Sequence, residues 1–319
     1  MTAPLLVAYR ALGVGDLLTA VPALRALARA FPDHRRVLAA PGALAGLAAL
    51  TGAVDEVADA APLRPLPPVV HGADVAVNLH GRGPQSHATL LAARPRRMLA
   101  FGHAAVWPGA VAWHAGEHEV ARWCRLLSES GIAADPADLR ISAPHAPAPD
   151  VARGATLVHP GAAAAARRWP APRWAAVARA ERAAGRRVAI TGSADERALA
   201  CAVADAAGLP RTAVLAGRTT LIELAAAVAA AARVVCGDTG IAHLATALAT
   251  PSVVLFGPTP PVEWGPPAPP AGGLHLALWA GRSGDPHGSR TDPGLLDIPV
   301  AAVLAALDAT PGRPSGATR

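Results

Sequence analysis

At 319 residues, with 52% hydrophobic and 16% charged side chains, the chain is long enough for two ordinary domains and too apolar to stay disordered. Its formal charge of +6 rests on arginine alone, since the sequence contains no lysine; 13 arginines face 12 acids up to Asp150, and 16 face 11 beyond it. No basic run interleaved with aromatics points to nucleic acid, so the excess in the second half fits a small anionic ligand or an acidic surface.

In chain order, short Val/Leu/Ile runs alternate with longer Ala/Leu/Arg segments, the pattern of parallel sheets covered by helices on both faces. Residues 4–9 predict a strand, followed by a glycine turn and a helix over 16–31. Further strands are predicted at 36–40, 55–58, 73–78 and 97–101, and a helix at 117–130. The stretch SAPHAPAPDVA, residues 142–152, holds three prolines that neither a helix nor a central strand can carry, and reads as a linker. It divides the chain into domains 1–147 and 148–319. The alternation restarts with strands at 156–159, 187–191, 213–216, 234–236 and 252–256. Helices are predicted at 174–184, 195–207, 221–231 and 241–249, then a proline-rich loop over 258–270. A final helix at about 300–308 is placed to pack back on the first domain.

Cys124, Cys201 and Cys236 lie far apart, with neither zinc spacing nor a disulfide framework. Arg10 and Asp16 interrupt any early apolar run, and no run reaches the ~18 residues of a membrane span. A cytoplasmic protein is expected, its basic charge allowing peripheral association with the inner face of the membrane. His114 and His118 are four apart but Glu117 is misplaced for a metalloprotease helix, so no metal site is expected.

Four segments could carry chemistry. In VVCGDTGIAH, residues 234–243, a strand meets a helix through an Asp-Thr-Gly turn. Such a helix start offers unpaired N–H groups and the positive end of its dipole, and Gly240 admits an anion closely. Thr239 adds a hydroxyl and His243 sits one turn in. Asp238 or Thr239 could instead only cap the helix, and residue types leave both readings open. GVGDLLTAVPAL, residues 13–24, sets Asp16 at a helix start, either as a first-turn acid or as a general base. Leu18 stands where a dinucleotide fingerprint needs its third glycine. HPGAAAAARRWP, residues 159–170, carries Arg167 and Arg168, either solvated or able to clamp a phosphate. LFGPTPPVEWGPP, residues 255–267, holds Thr259 and Trp264 in a stiff loop, and Glu196 opens a helix as a capping acid or a ribose-hydroxyl acceptor.

Taken in order, GVGDLLTAVPAL, HPGA…RRWP, GSADE, LAGRTTLIELAAAV, GDTGIAHLATALATPSVVLFGPT and WGP resemble the bacterial heptosyltransferase family, glycosyltransferase family 9. The resemblance is strongest over 156–266 and thinner over 60–150. It implies an α/β, GT-B fold with two Rossmann-like domains facing across a cleft. It also implies inverting, metal-independent transfer of a heptose or related sugar from a nucleotide-diphosphate donor, ADP-linked in the best-known members, with no cofactor. By position, Asp16 matches the family's proposed base. Gly15, Asp238, Thr239, Gly240, His243 and Thr259 fall to the donor, Glu196 to its ribose, and Arg167 to a place where the family usually has lysine. That exchange turns a point donor into a wide fork. Ala163 and Ala164 replace the family's small polar residues just before it, so two phosphate hydroxyls are lost. His80, Arg82 and Gln85 are candidate contacts for the acceptor, which could be a glycan, a lipid-linked glycan or a small molecule. A sugar-nucleotide epimerase, or a non-catalytic nucleotide-binding scaffold on the same fold, are the alternatives. The first lacks a clear second acid/base pair, and the full set of Asp16, Arg167 and Asp238 argues against the second.

Overall fold

The computed structural model describes residues 3–108, 111–267, 273–310 and 312. The chain divides into two compact units, Met1–Ser142 and Ala143–Arg319, so the boundary falls at the start of the proline-rich linker.

In the first unit, β1 (Leu5–Tyr9) leads into α1 (Val14–Thr19) and α2 (Val21–Ala30). Then come β2 (Arg35–Ala40), α3 (Ala45–Ala49), β3 (Glu56–Asp59), β4 (Val75–Asn78), α4 (Gln85–Ala92), β5 (Arg97–Leu99) and α5 (Glu119–Glu129). All strand pairs are parallel and the order is β3-β2-β1-β4-β5. The central strands β1 and β4 are buried, near-continuous apolar runs because helices cover both faces of such a sheet, whereas the edge strand β3 is mostly exposed. One helix is predicted over 16–31, but the chain breaks at Ala20. Pro22, the second residue of α2, has no N–H to donate back to Leu18 and its ring crowds that turn.

The second unit contains β6 (Thr156–His159), α6 (Ala171–Ala183), β7 (Val188–Ile190), α7 (Arg197–Ala206), α8 (Leu221–Ala230), β8 (Arg233–Gly237), α9 (Gly240–Ala247) and β9 (Ser252–Phe256). It ends with α10 (Pro261–Trp264), β10 (His275–Trp279), α11 (Pro293–Leu296) and α12 (Val300–Ala309). The parallel order is β10-β9-β8-β6-β7. The strand predicted at 213–216 is instead a single 3-10 turn and one isolated bridge, Val214 to Ile190. Pro210 before it and the left-handed Gly217 after it leave too few extended residues for a sixth strand. Val303, Ala306 and Leu307 are buried in the second unit's core with Trp169 and Trp174, whose rings meet edge to face at 4.9 Å.

At the amino ends of β6 and β8 a buried arginine ties the layers. Arg233 Nη2 lies 2.9 Å from Glu181 Oε2, its Nε donates to Thr156 Oγ1 at 3.2 Å, and its Nη1 donates to the Leu307 carbonyl on α12. Glu181 also accepts from Thr156 Oγ1 at 2.5 Å. Removing one partner of a buried pair strands the other charge, so Glu181→Ala is expected to cost about 3–5 kcal/mol. Urea unfolding checks this, as a lower midpoint for the transition of the second unit.

Candidate functional site

Each sheet reverses the direction of its strand order once, between β1 and β4 in the first unit and between β6 and β8 in the second. At such a point the connections leave for opposite faces and open a crevice beyond the carboxyl ends of the strands. The candidate residues gather at these two places.

In the second unit the loop after β6 and the turn after β8 meet. Gly237 ends β8 so close to this loop that a Cβ there would stand 3.1 Å from the Arg167 carbonyl oxygen. Arg167 Nη1 donates to the Asp238 carbonyl oxygen at 3.2 Å and lies 3.9 Å from Asp238 Oδ2. Its Nε is buried and has no protein partner. Arg168 faces away, closing its own loop by donating from Nε to the Ala162 carbonyl at 2.8 Å. Thr239 occupies the N-cap position of α9 and its side chain makes no capping hydrogen bond. The Ala242 N–H donates to the Thr239 carbonyl at 2.9 Å, and the hydroxyl of Thr239 does not serve as the cap. His243, one turn in, meets Trp264 edge to face at 5.9 Å, and Thr259 lies just after β9, the neighbour of β8. Burial lifts the Asp238 carboxyl to about 6 despite the nearby Arg167 charge.

The same loop touches Glu196 at its other end. A Cβ on Gly161 would stand 2.1 Å from the Glu196 carboxyl, so the loop passes closely over that side chain. Glu196 Oε2 accepts from the Ser193 N–H at 2.8 Å and lies 3.8 Å from His159 Nε2, while His159 Nδ1 is 3.0 Å from Thr191 Oγ1. Burial pushes the His159 imidazole down, with Glu196 opposing. A line of polar groups thus crosses the ends of β7, β6 and β8, from Glu196 through the loop to Asp238.

In the first unit, Asp16 is the third residue of α1 and its Oδ2 accepts from the Gly13 N–H at 3.1 Å, while its Oδ1 lies 3.5 Å from Arg10 Nη2. The Asp16 side chain thus closes the first turn of the helix and stays partly exposed. Gly15 lies in the same turn. Arg10 directly follows β1 and is 1% exposed. It spans the reversal point by donating from Nη1 to the Leu79 carbonyl after β4. His80 stacks on Tyr9 at 4.5 Å, and burial, then the Arg10 charge, pushes its imidazole down to about 4. Arg82 and Gln85 are exposed and stand away from this cluster's buried hydrogen bonds. Among the described residues no group of three or more His, Cys, Asp or Glu side chains is arranged to hold a metal ion.

Comparison with known proteins agrees with this geometry. The model of glycosyltransferase family 9 (heptosyltransferase) matches residues 89–285. The chain belongs to glycosyltransferase family 9. It is a glycosyltransferase. Lipopolysaccharide heptosyltransferase 3 of Escherichia coli is 30% identical over 164 residues, 50% of this chain and 47% of that protein, so the match spans about half of that relative. Among solved structures, E. coli ADP-heptose lps heptosyltransferase II superposes with a TM-score of 0.74 at 20% identity, covering 96% of this chain and 98% of that one. E. coli heptosyltransferase WaaC with ADP superposes at 0.71 and 18% identity, covering 95% and 98%. The two five-stranded parallel sheets with flanking helices are the α/β, GT-B fold of those structures.

Of the residues singled out in the sequence, the structure brings Arg167, Asp238, Thr239, Gly240 and His243 to one turn of the glycosyltransferase, Glu196 to the adjoining loop, and Asp16 and His80 beside Arg10. Arg10 and Glu119 escape sequence reading, because an arginine after a strand and a glutamate at a helix start are ordinary there. Their pairing spans 109 residues.

The raised Asp238 carboxyl has a consequence for stability. Its folded value lies above its ordinary one, so the protonated form favours folding below about pH 4, and that contribution is lost as pH rises through about 6. Asp238→Asn should remove the dependence, gaining on the order of 3 kcal/mol over wild type at pH 7 relative to pH 4. Melting curves of both proteins across that range check the sign.

Proposed function

We propose that this glycosyltransferase moves a heptose or related sugar from an ADP-linked donor to an acceptor hydroxyl, with inversion and without a metal ion. The observation that carries the reading is the Arg167 guanidinium bound to the Asp238 carbonyl, two residues before the start of α9, where Thr239 makes no side-chain cap. A helix start and a guanidinium are two fixed positive groups, suited to hold a diphosphate and to meet the charge that grows on it as the sugar leaves. The ADP of the WaaC structure and the ADP-heptose in the name of heptosyltransferase II support ADP as the nucleotide. Glu196, at the neighbouring strand end, is the acceptor for a ribose hydroxyl. Gly15 and Thr259 complete the donor contacts.

Asp16 takes the proton of the attacking hydroxyl, which reaches the anomeric carbon on the face opposite the diphosphate. The acceptor is a glycan, lipid-linked glycan or small molecule, with His80, Arg82 and Gln85 as its contacts. In this reading the protein works in the cytoplasm, free or peripheral at the inner face of the membrane. No helix among the described residues is long and apolar enough to cross a membrane.

ADP should raise the melting temperature equally with and without EDTA, and Arg167→Ala should weaken ADP roughly 10- to 100-fold, the loss of charge-assisted hydrogen bonds. Stabilisation by ADP only when a divalent cation is added would overturn the metal-free reading. With ADP-heptose and a competent acceptor, Asp16→Asn should slow turnover about 10²–10⁴-fold, and proton NMR should find the product anomer inverted. Near-wild-type turnover in that variant would sink the assignment of the base.

A further inference from the structure

Arg10 makes more contacts than any loop arginine needs for folding. Its Nε donates to the Asp16 carbonyl, its Nη1 to the Leu79 carbonyl, and its Nη2 to Thr19 Oγ1 at 3.1 Å and Glu119 Oε1 at 2.8 Å. The Asp16 carboxylate stands farther off, 3.5 Å from that same Nη2. Glu119, at the start of α5, is 5% exposed and also accepts from Arg122 and, at 2.8 Å, from Trp123 Nε1. The Arg10 guanidinium lies over the Trp123 ring, 4.9 Å from its centroid.

We infer that Arg10 is a positioning residue for Asp16, and that Glu119 balances the Arg10 charge so that the guanidinium orients the Asp16 carboxylate without neutralising it. The inference rests on Asp16 being the base. A carboxylate beside an unopposed guanidinium is a weakened base, whereas one beside a guanidinium already paired at shorter range keeps more of its proton affinity. The distances divide Arg10 in that way, with the tighter contact to Glu119 and the looser one to Asp16. The Asp16 rotamer is held from two sides, by the Gly13 N–H on Oδ2 and Arg10 on Oδ1, which is what a group meeting a substrate proton at fixed geometry requires.

Stability alone is a poor reason for this arrangement. A buried ion pair repays its desolvation weakly, and apolar side chains of the same volume often do as well. Burial pushes the Glu119 carboxyl up, but the charge and hydrogen bond of Arg10, with Arg122 and Trp123, outweigh it and hold the group ionised. Among the described residues Arg10 is the charged partner of Asp16, Glu119 on α5 pairs with Arg10, Arg122 pairs with Glu119, and His80 after β4 feels the Arg10 charge. His80 is held neutral near pH 7, so the balance reduces to two guanidinium and two carboxylate groups.

Glu119→Gln keeps the shape and leaves Arg10 its contacts to Asp16, Thr19 and Leu79. Arg10→Gln leaves Glu119 its contacts to Arg122 and Trp123, and Arg10→Lys keeps the charge without the fork. The test uses the full chain labelled with [γ-13C]aspartate, the Asp16 signal being identified by its loss in Asp16→Asn. The signal should titrate at lower pH in Glu119→Gln and at higher pH in Arg10→Gln. With ADP-heptose and a competent acceptor as substrates and ADP release as the readout, the acid limb of the rate profile should move the same way by about one pH unit. Arg10→Lys should recover the titration but not the full turnover. An Asp16 signal and acid limb unmoved in a folded Glu119→Gln protein would overturn the inference, even if Arg10→Gln fails to fold. Loss of ADP release in Asp16→Asn with those unmoved profiles would leave the base standing and remove only the positioning role. Retention of ADP release in Asp16→Asn would remove both.

Discussion

The site depends on how each sheet closes the gap at its reversal point. Where two adjacent parallel strands send their connections to opposite faces, their carboxyl ends are left with carbonyl groups that no ladder can satisfy. In both units one arginine fills the gap. Arg10 reaches from the end of β1 to the Leu79 carbonyl, and Arg167 reaches from the loop after β6 to the Asp238 carbonyl. A guanidinium suits the task because its donors diverge in a plane, so it can hold a backbone oxygen with one nitrogen and a carboxylate with another. Lysine, a single point donor, could not lace Arg10's four partners together. In a chain without lysine, the same side chain serves architecture and chemistry at once.

The two reversal points are charged differently. In the first unit the guanidinium is surrounded by acids and its charge is spent. In the second, Arg167 meets Asp238 only at 3.9 Å, and the carboxyl it faces is pushed toward its neutral form by burial. The Arg167 contact to that carboxyl is long, and its buried Nε has no protein partner among the described residues. The guanidinium of the first crevice is thus held by closer ionic contacts than that of the second.

Fold class was legible because central parallel strands buried on both faces leave apolar runs, and the signal repeats in two groups along the chain. Local errors came where that signal is weakest. Residues 213–216 are apolar enough for a strand but too short between Pro210 and Gly217, and β10 was missed because an edge strand with half-exposed residues resembles a loop. The turn at 238–240 was legible as a place, though its role as cap or anion site was not. That distinction depends on where side chains point, and the Thr239 side chain makes no capping hydrogen bond to α9. Arg10 and Glu119 carry no local pattern at all, since their meaning arises only when α5 packs against α2.

Ala166, beside Arg167, is an unremarked alanine in the sequence, yet its N–H donates to the Gly288 carbonyl at 3.0 Å and its carbonyl accepts from the Asp292 N–H at 3.1 Å. The loop that carries Arg167 is thus stitched to a stretch of chain beyond residue 285, where the family match ends. In the language of hydrogen exchange, the Ala166 amide opens only when the segment around Gly288 lets go. The order of this loop is then set by a cooperative unit that contributes no side chain to the chemistry, and sequence drift in that stretch would be felt at the Arg167 guanidinium as a change in preorganisation.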